Sequence, residues 1–252
     1  MGRNNINGST NMKRALSTTV ERSFKKTKRA ITKIETIPRE LLSEVLARVA
    51  SDSFTDIFNA KLSCKGFYDI AEDTHVYQHM SLNNFPIVAW TPITEKQQSF
   101  LTKCKECDNP ELLYRQAVVN YFNDERSEST IRCLDKACKL GHIGATYAKC
   151  IVMLFSDDAE MKEKGVKLLG NMKKDRCSRR ELKEGRDKLI ETLSWIWVKN
   201  PHLKHRPIYC TTRDDHKTKK DWPDDVEEEG IHCQACSADE EISLISGVFP
   251  QL

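Results

Sequence analysis

The chain has 252 residues, of which 39% are hydrophobic, and carries a formal net charge of +3 at pH 7. This length allows one large domain or two small ones, and the near-balanced charge argues against nucleic-acid binding along the whole surface. No apolar stretch approaches the roughly 20 residues of a membrane-spanning helix, and the polar N-terminus lacks the apolar core of a secretory signal. We therefore expect a globular intracellular protein whose ten cysteines are reduced thiols or metal ligands.

A disordered basic arm is predicted for residues 1–33, because their few apolar side chains cannot offset the entropy of ordering. Two basic clusters in the arm are separated by ten residues. Together they resemble a bipartite nuclear import signal: Lys13, Arg14, Lys25, Lys26, Lys28 and Arg29. The resemblance implies a nuclear protein, with the cytoplasm as a second location. The alternatives are a solvated tail or a non-specific contact with phosphate.

An amphipathic helix is predicted directly after the arm. Pro38 suits the first turn of a helix, where its missing N–H is not needed. The apolar residues that follow have helical spacing: Leu41, Leu42, Val45, Leu46 and Val49. Residues 51–53 offer capping side chains for a second helix over residues 57–62. Gly66 is expected to end that helix before a third helix over residues 67–71.

Two runs in this region, IPRELLSEVL at 37–46 and AKLSCKGF at 60–67, resemble an F-box. Ile37 stands where Leu is usual, and a Trp or Arg pair common near Lys65 is missing. The resemblance implies a three-helix F-box over residues 34–80 that docks on a Skp-type adaptor protein, and through it on a cullin. The residues implied to contact the adaptor are Ile37, Pro38, Leu41, Leu42, Val45, Leu46, Leu62, Ser63, Cys64 and Phe67.

A partner for this segment is physically reasonable, because about forty residues bury too little surface to be stable alone. The alternative is that the same apolar residues only form the core of a helical domain.

Helical periodicity resumes over residues 96–198, after a proline-containing connector at 81–95. Asn109 and Pro110 provide a cap and a first-turn residue for one of its helices. The run ACKLGHIGATY at 137–147 resembles the junction of tetratricopeptide-related repeats of the Sel type. The resemblance implies a compact helical repeat-like domain, which either holds a target protein in a groove or only supports the F-box.

The last segment, residues 199–252, is predicted to be an irregular acidic tail that contains cysteines. Cys233 and Cys236 have the spacing that allows both thiolates to reach one zinc ion, and Cys210 is a candidate third ligand. The candidate fourth ligands are His216, His232 and His205. A site formed from these residues would be structural, and uncoordinated thiols in a loose tail are the alternative.

An all-α adaptor without catalytic activity is the function that these features favour. We find no nucleophile elbow, phosphate-binding glycine loop or His-Glu-x-x-His motif, so no enzyme is predicted. The resemblance is to plant F-box proteins with a helical extension, and it implies a substrate-receptor subunit of a Skp-cullin-F-box ubiquitin ligase. Its target protein is unknown, and apart from structural zinc no cofactor is expected. The alternative is a nuclear nucleic-acid-binding or zinc-containing interaction protein, although the acidic tail disfavours nucleic acid.

Overall fold

Helices make up the regular secondary structure of the computed structural model, which describes residues 37–88, 92–123, 128–196, 203, 205–211 and 233–249. The all-α prediction is confirmed, and none of the described helices is both long and apolar enough to cross a membrane. The predicted import signal lies outside the described residues. The helices are α1 (Arg39–Asp52), α2 (Phe54–Ser63), α3 (Lys65–Ala71), α4 (Thr74–Gln78), α5 (Glu95–Glu106), α6 (Pro110–Phe122), α7 (Glu128–Lys139), α8 (Ile143–Leu154), α9 (Ala159–Met172), α10 (Arg176–Ser194) and α11 (Gln234–Ser246).

The F-box-like segment contains four helices rather than the three predicted, because the short helix α4 adds buried Val76 and Tyr77 to its core. Helix α2 is capped by Ser53, whose side chain accepts a hydrogen bond from the Asp56 N–H. The break between α2 and α3 falls at Cys64, and Gly66 lies inside α3, so the predicted break at that glycine is wrong. The Cys64 sulfur accepts a hydrogen bond from a backbone N–H of α3 and thus starts that helix.

The first hydrophobic core extends beyond the F-box-like segment, through the predicted connector and into α5 and α6. Leu82 and Phe85 of the connector are buried, and Phe85 stacks on Phe100 of α5 with ring centroids 5.0 Å apart. Buried Asn109 caps α6 and donates hydrogen bonds from Nδ2 to the carbonyls of Tyr77 (3.0 Å) and Met80 (2.9 Å). One side chain therefore ties the end of the F-box-like segment to the start of the helical domain.

The second core lies among α6 to α11 and depends on close helix approach. A Cβ added to Gly185 of α10 would come within 2.8 Å of the Cβ of Tyr147 in α8. Gly141, at φ +80°, forms the predicted turn between α7 and α8, and His142 caps α8. These features agree with the small-residue packing expected of a repeat-like domain.

Partly buried Glu111 joins three parts of the helical domain at the start of α6. It accepts a hydrogen bond from His142 (2.9 Å) and pairs with Lys188 (2.6 Å) and Arg115 (2.6 Å). Burial alone would raise the pKa of Glu111, but the His142 hydrogen bond and the two positive charges outweigh it and hold the pKa well below its usual range.

The C-terminal region differs from the predicted irregular tail, because Gln234–Ser246 forms α11. Ala238, Ile242 and Ile245 of this helix are buried in the second core. Glu241 is fully buried, and its carboxylate accepts hydrogen bonds from Arg186 at 2.5 and 2.8 Å and from the Tyr147 hydroxyl at 2.8 Å. The helix is therefore held by packing and by a buried ion pair.

Candidate partner-binding face

An apolar stripe that begins just before α1 and continues along the helix faces solvent, on the side opposite the core. Ile37, Leu41 and Val45 expose 42%, 60% and 53% of their surface. Leu41 and Val45 are four residues apart and therefore lie on one side of α1, and Ile37 lies two residues before the helix begins. Surface helices normally show polar residues on their outer side, so a stripe of three exposed apolar residues is the feature expected of a binding face.

The last turn of α2 carries a further exposed apolar residue of the F-box-like segment. Leu62 exposes 84% of its surface, and Ser63 and Cys64 beside it are also exposed. The Ser63 hydroxyl donates to the Ala60 carbonyl at 2.7 Å, which holds the turn in place. Tyr68 of α3 is 52% exposed and was missed by the sequence analysis, although it lies four residues after Cys64 on the same helical side.

Two of the predicted contact residues are not on the surface. Leu42 and Leu46 are only 7% and 3% exposed and belong to the first core. Consecutive residues of a helix point about 100° apart, and here this rotation directs Leu41 outward and Leu42 into the core. Phe67 is half-buried against the same core. The exposed apolar residues of the prediction are therefore Ile37, Leu41, Val45 and Leu62, and Leu42 and Leu46 pack in the core.

A network of charges behind this face joins α2 to α5. The Glu72 carboxylate accepts hydrogen bonds from Lys61 and from Lys103 of α5, and Tyr77 donates to the same carboxylate at 3.2 Å. Burial, together with the neighbouring Glu72 charge, raises the pKa of the Tyr77 phenol well above its usual range. The Lys61 ammonium also lies 5.5 Å from the centre of the Tyr68 ring. Since Lys61 is itself buried, this network holds the last turn of α2, which also contains Leu62.

Two exposed polar contacts join α1 to α4 and its N-cap residue. Arg39 donates to Asp73 at 2.7 Å, and His75 of α4 lies 3.0 Å from the Glu44 carboxylate. Each is a surface contact of small energy.

Three of the four predicted metal ligands come together in the C-terminal region. The sulfur atoms of Cys210, Cys233 and Cys236 all lie within 4.8 Å of one another. His216, predicted as the fourth ligand, lies outside the described residues, as does His232. His205 is described and exposed, but it is not a member of this cluster.

The other Cys-x-x-Cys pair has a different setting. Cys104 and Cys107 are buried in the first core, where burial raises the pKa of the Cys104 thiol to about 12. Among the described residues no third candidate ligand joins them. This pair is part of the hydrophobic core.

Comparison with known proteins supports both halves of the architecture. A family model described as plant tetratricopeptide repeats matches residues 82–194. A protein of Arabidopsis thaliana that is named provisionally as an F-box protein is 26% identical over 186 residues, which cover 73% of this chain and 62% of that relative. The chain thus spans less than two thirds of that relative.

A second Arabidopsis thaliana protein named as an F-box protein is 27% identical over 125 residues, covering 49% of this chain and 75% of that relative. No solved structure matches the chain. The resemblance to plant F-box proteins with a helical repeat region is confirmed.

Proposed function

We propose that this chain, which resembles plant F-box proteins with a helical repeat region, is a substrate-receptor subunit of a Skp-cullin-F-box ubiquitin ligase. The observation that carries the proposal is the apolar stripe at the start of α1, where Ile37, Leu41 and Val45 face solvent. Leu62, in the last turn of α2, is a fourth exposed apolar residue of the F-box-like segment. A Skp-type adaptor that covers these side chains would remove them from water.

This surface supplies part of the energy of a specific complex. Complete burial of a Leu side chain is worth about 1.5–3 kcal/mol, and the exposed parts of the four residues together offer about two and a half times that amount. Only a fraction of this energy becomes affinity, because association also costs translational, rotational and side-chain freedom. A rigid face lowers that cost, and the Lys61–Glu72 network provides such rigidity.

The helical domain would act by position rather than by chemistry. Because Asn109 and the shared first core join it to the F-box-like segment, a target held by α6 to α11 would keep a fixed place relative to the adaptor. Ubiquitin transfer would be carried out by an enzyme that the cullin recruits, with this chain contributing proximity. The chain itself is proposed to be non-catalytic.

Binding to a purified Skp-type adaptor tests the proposal directly. The full chain is compared by calorimetry with a Leu41→Ala/Val45→Ala variant, in which two outward side chains are shortened. Leu140→Ala and Leu244→Ala are matched controls, since these leucines are 39% and 44% exposed outside the F-box-like segment. We expect the parent and the controls to bind alike and the double variant to bind weakly. No binding by the folded parent chain would reject the proposal.

A nuclear location is a separate part of the proposal. It rests on the two basic clusters alone, and these lie outside the described residues. Imaging of a fluorescent fusion tests it: replacement of Lys25, Lys26, Lys28 and Arg29 by Ala should shift the signal to the cytoplasm. An unchanged nuclear signal would show that these residues are not needed for import.

A further inference from the structure

Three cysteines from two separate parts of the chain converge beside the N-terminus of α11. Cys233 is the N-cap residue of the helix, and Cys236 lies in its first turn. Cys210 arrives from the loop at 205–211 and is buried at 5% exposure. All ten cysteines lie among the described residues, and none of them forms a disulfide.

The separation of the three sulfur atoms suits one tetrahedral metal ion. Zinc–thiolate bonds of about 2.3 Å at tetrahedral angles place the sulfur atoms about 3.8 Å apart. The three sulfur atoms are already within 4.8 Å of one another, so binding requires small side-chain movements only. A disulfide between Cys233 and Cys236 would involve only two of the three sulfur atoms, whereas one metal ion can bind all three.

The loop that supplies Cys210 is held against α11 by bonds that do not involve sulfur. The Asp239 carboxylate accepts hydrogen bonds from the backbone N–H groups of Tyr209 (2.8 Å) and Cys210 (3.1 Å). The Tyr209 hydroxyl donates to the Leu154 carbonyl at 2.6 Å, which ties the loop to the end of α8. Asp239 is only 9% exposed, so these bonds are sheltered from water. The third ligand is thus placed by the fold before any metal arrives.

We propose that Cys210, Cys233 and Cys236 bind one zinc ion as thiolates, in a site that fastens the 205–211 loop to α11. Three thiolates and one further ligand make the closed tetrahedral shell of a structural zinc site, which leaves no position for a substrate. The other Cys-x-x-Cys pair, Cys104 and Cys107, does not qualify, because it is enclosed in the first core without a third ligand among the described residues. The site does not depend on the proposed binding to a Skp-type adaptor.

The test is metal analysis of the full chain purified with added zinc and then dialysed against a weak chelator. We expect one zinc ion per chain for the parent, and strongly reduced zinc for Cys210→Ser, Cys233→Ser and Cys236→Ser variants. Cys177→Ser is the matched control, because Cys177 is an exposed cysteine at the start of α10, and it should retain full zinc. Circular dichroism establishes that each variant keeps its helices.

A measurement on the unaltered chain removes any dependence on how the variants fold. Cobalt replaces zinc in thiolate sites, and X-ray absorption at the metal edge counts the sulfur ligands directly. We expect three sulfur ligands at about 2.3 Å from zinc and an intense thiolate-to-cobalt charge-transfer band. A folded parent chain that retains no zinc, or whose bound metal shows no sulfur ligands, would overturn the proposal. So would a Cys233–Cys236 disulfide in freshly purified chain that takes up no added zinc.

Discussion

Leu41 and Leu42 are neighbours in the sequence, yet we expect their replacement by Ala to affect different properties of the protein. Leu42 is 7% exposed and lies in the first core, whereas Leu41 is 60% exposed on the outer stripe. Leu42→Ala should therefore lower the free energy of unfolding, and Leu41→Ala should lower affinity for a Skp-type adaptor. Comparing the two variants therefore distinguishes an effect on folding from an effect on binding within a single turn of α1.

The magnitudes follow from the exposed fractions. Leu→Ala removes three carbon atoms, worth about 2.4 kcal/mol when they are fully buried. At 7% exposure, Leu42→Ala loses nearly all of this and leaves a cavity, for a total of about 2–5 kcal/mol in unfolding free energy. At 60% exposure, Leu41→Ala loses at most about 1 kcal/mol of unfolding free energy.

The exposed part of the Leu41 side chain can contribute to binding energy. If an adaptor buries the exposed part, Leu41→Ala costs about 1.4 kcal/mol, or about tenfold in Kd. Adding Val45→Ala, at 53% exposure, brings the loss to about 50-fold. Urea unfolding followed by circular dichroism measures the change in unfolding free energy, and calorimetric titration with the adaptor measures the change in Kd.

Two results would refute this reasoning. A stable Leu42→Ala chain together with an unstable Leu41→Ala chain would mean that α1 is rotated relative to the core described above. A Leu41→Ala/Val45→Ala chain that binds the adaptor as tightly as the parent would mean that the outer stripe is not the binding face.

Three further substitutions test the interactions that hold the helical domain. Glu241→Gln should cost about 3–5 kcal/mol in urea unfolding, because it leaves the Arg186 charge without its partner. Asn109→Ala should cost about 2–4 kcal/mol in the same assay, since it removes a helix cap and two hydrogen bonds to buried carbonyls. Glu111→Gln should weaken the acid dependence of stability: the folded-state pKa of Glu111 is lowered, so its contribution is complete above about pH 5 and is lost as the pH falls below about 4.

Matched controls distinguish these effects from general damage. Glu240→Gln changes the exposed neighbour of Glu241 and should cost less than about 0.5 kcal/mol. Thr94→Ala removes the side chain that caps α5 and should cost about 1 kcal/mol. The hydrogen bonds described for Thr94 are to Gln97 within the same helix, and none is to the F-box-like segment. If Asn109→Ala and Thr94→Ala lower the free energy of unfolding equally, the hydrogen bonds from Asn109 to the carbonyls of Tyr77 and Met80 do not contribute to stability. For Glu111, unfolding curves of parent and variant that respond identically between pH 7 and pH 3 would contradict the pKa argument.

Local signals allowed much of the helical architecture to be predicted from the sequence. Ser53 and Asn109 each accept a backbone hydrogen bond at the start of a helix, as their side chains suggest. The turn at Gly141 and His142 was visible because glycine tolerates a positive φ there. These features depend on a few adjacent residues, so no knowledge of the distant chain is needed.

Long-range features were less accessible. The sequence placed both Leu41 and Leu42 on the binding face, and only the position of the core shows which of them turns inward. Helix α11 was missed because its stripe of Ala238, Ile242 and Ile245 is short and is interrupted by acidic residues. It is held by packing in the second core and by the pairing of Glu241 with Arg186, 55 positions earlier in the chain, and no local pattern reveals either contact.

The placement of α11 also orders events during synthesis on the ribosome. The buried residues of the first core lie between Leu42 and Leu112 in the described chain, so that core can close while the remainder is still being translated. The second core needs Ala238, Ile242 and Ile245, which are made more than 120 residues after the last buried residue of the first core. A messenger RNA cut short before α11 would therefore yield a chain with a finished F-box-like segment and an open helical domain. Such a product could occupy an adaptor without presenting a complete domain to a target.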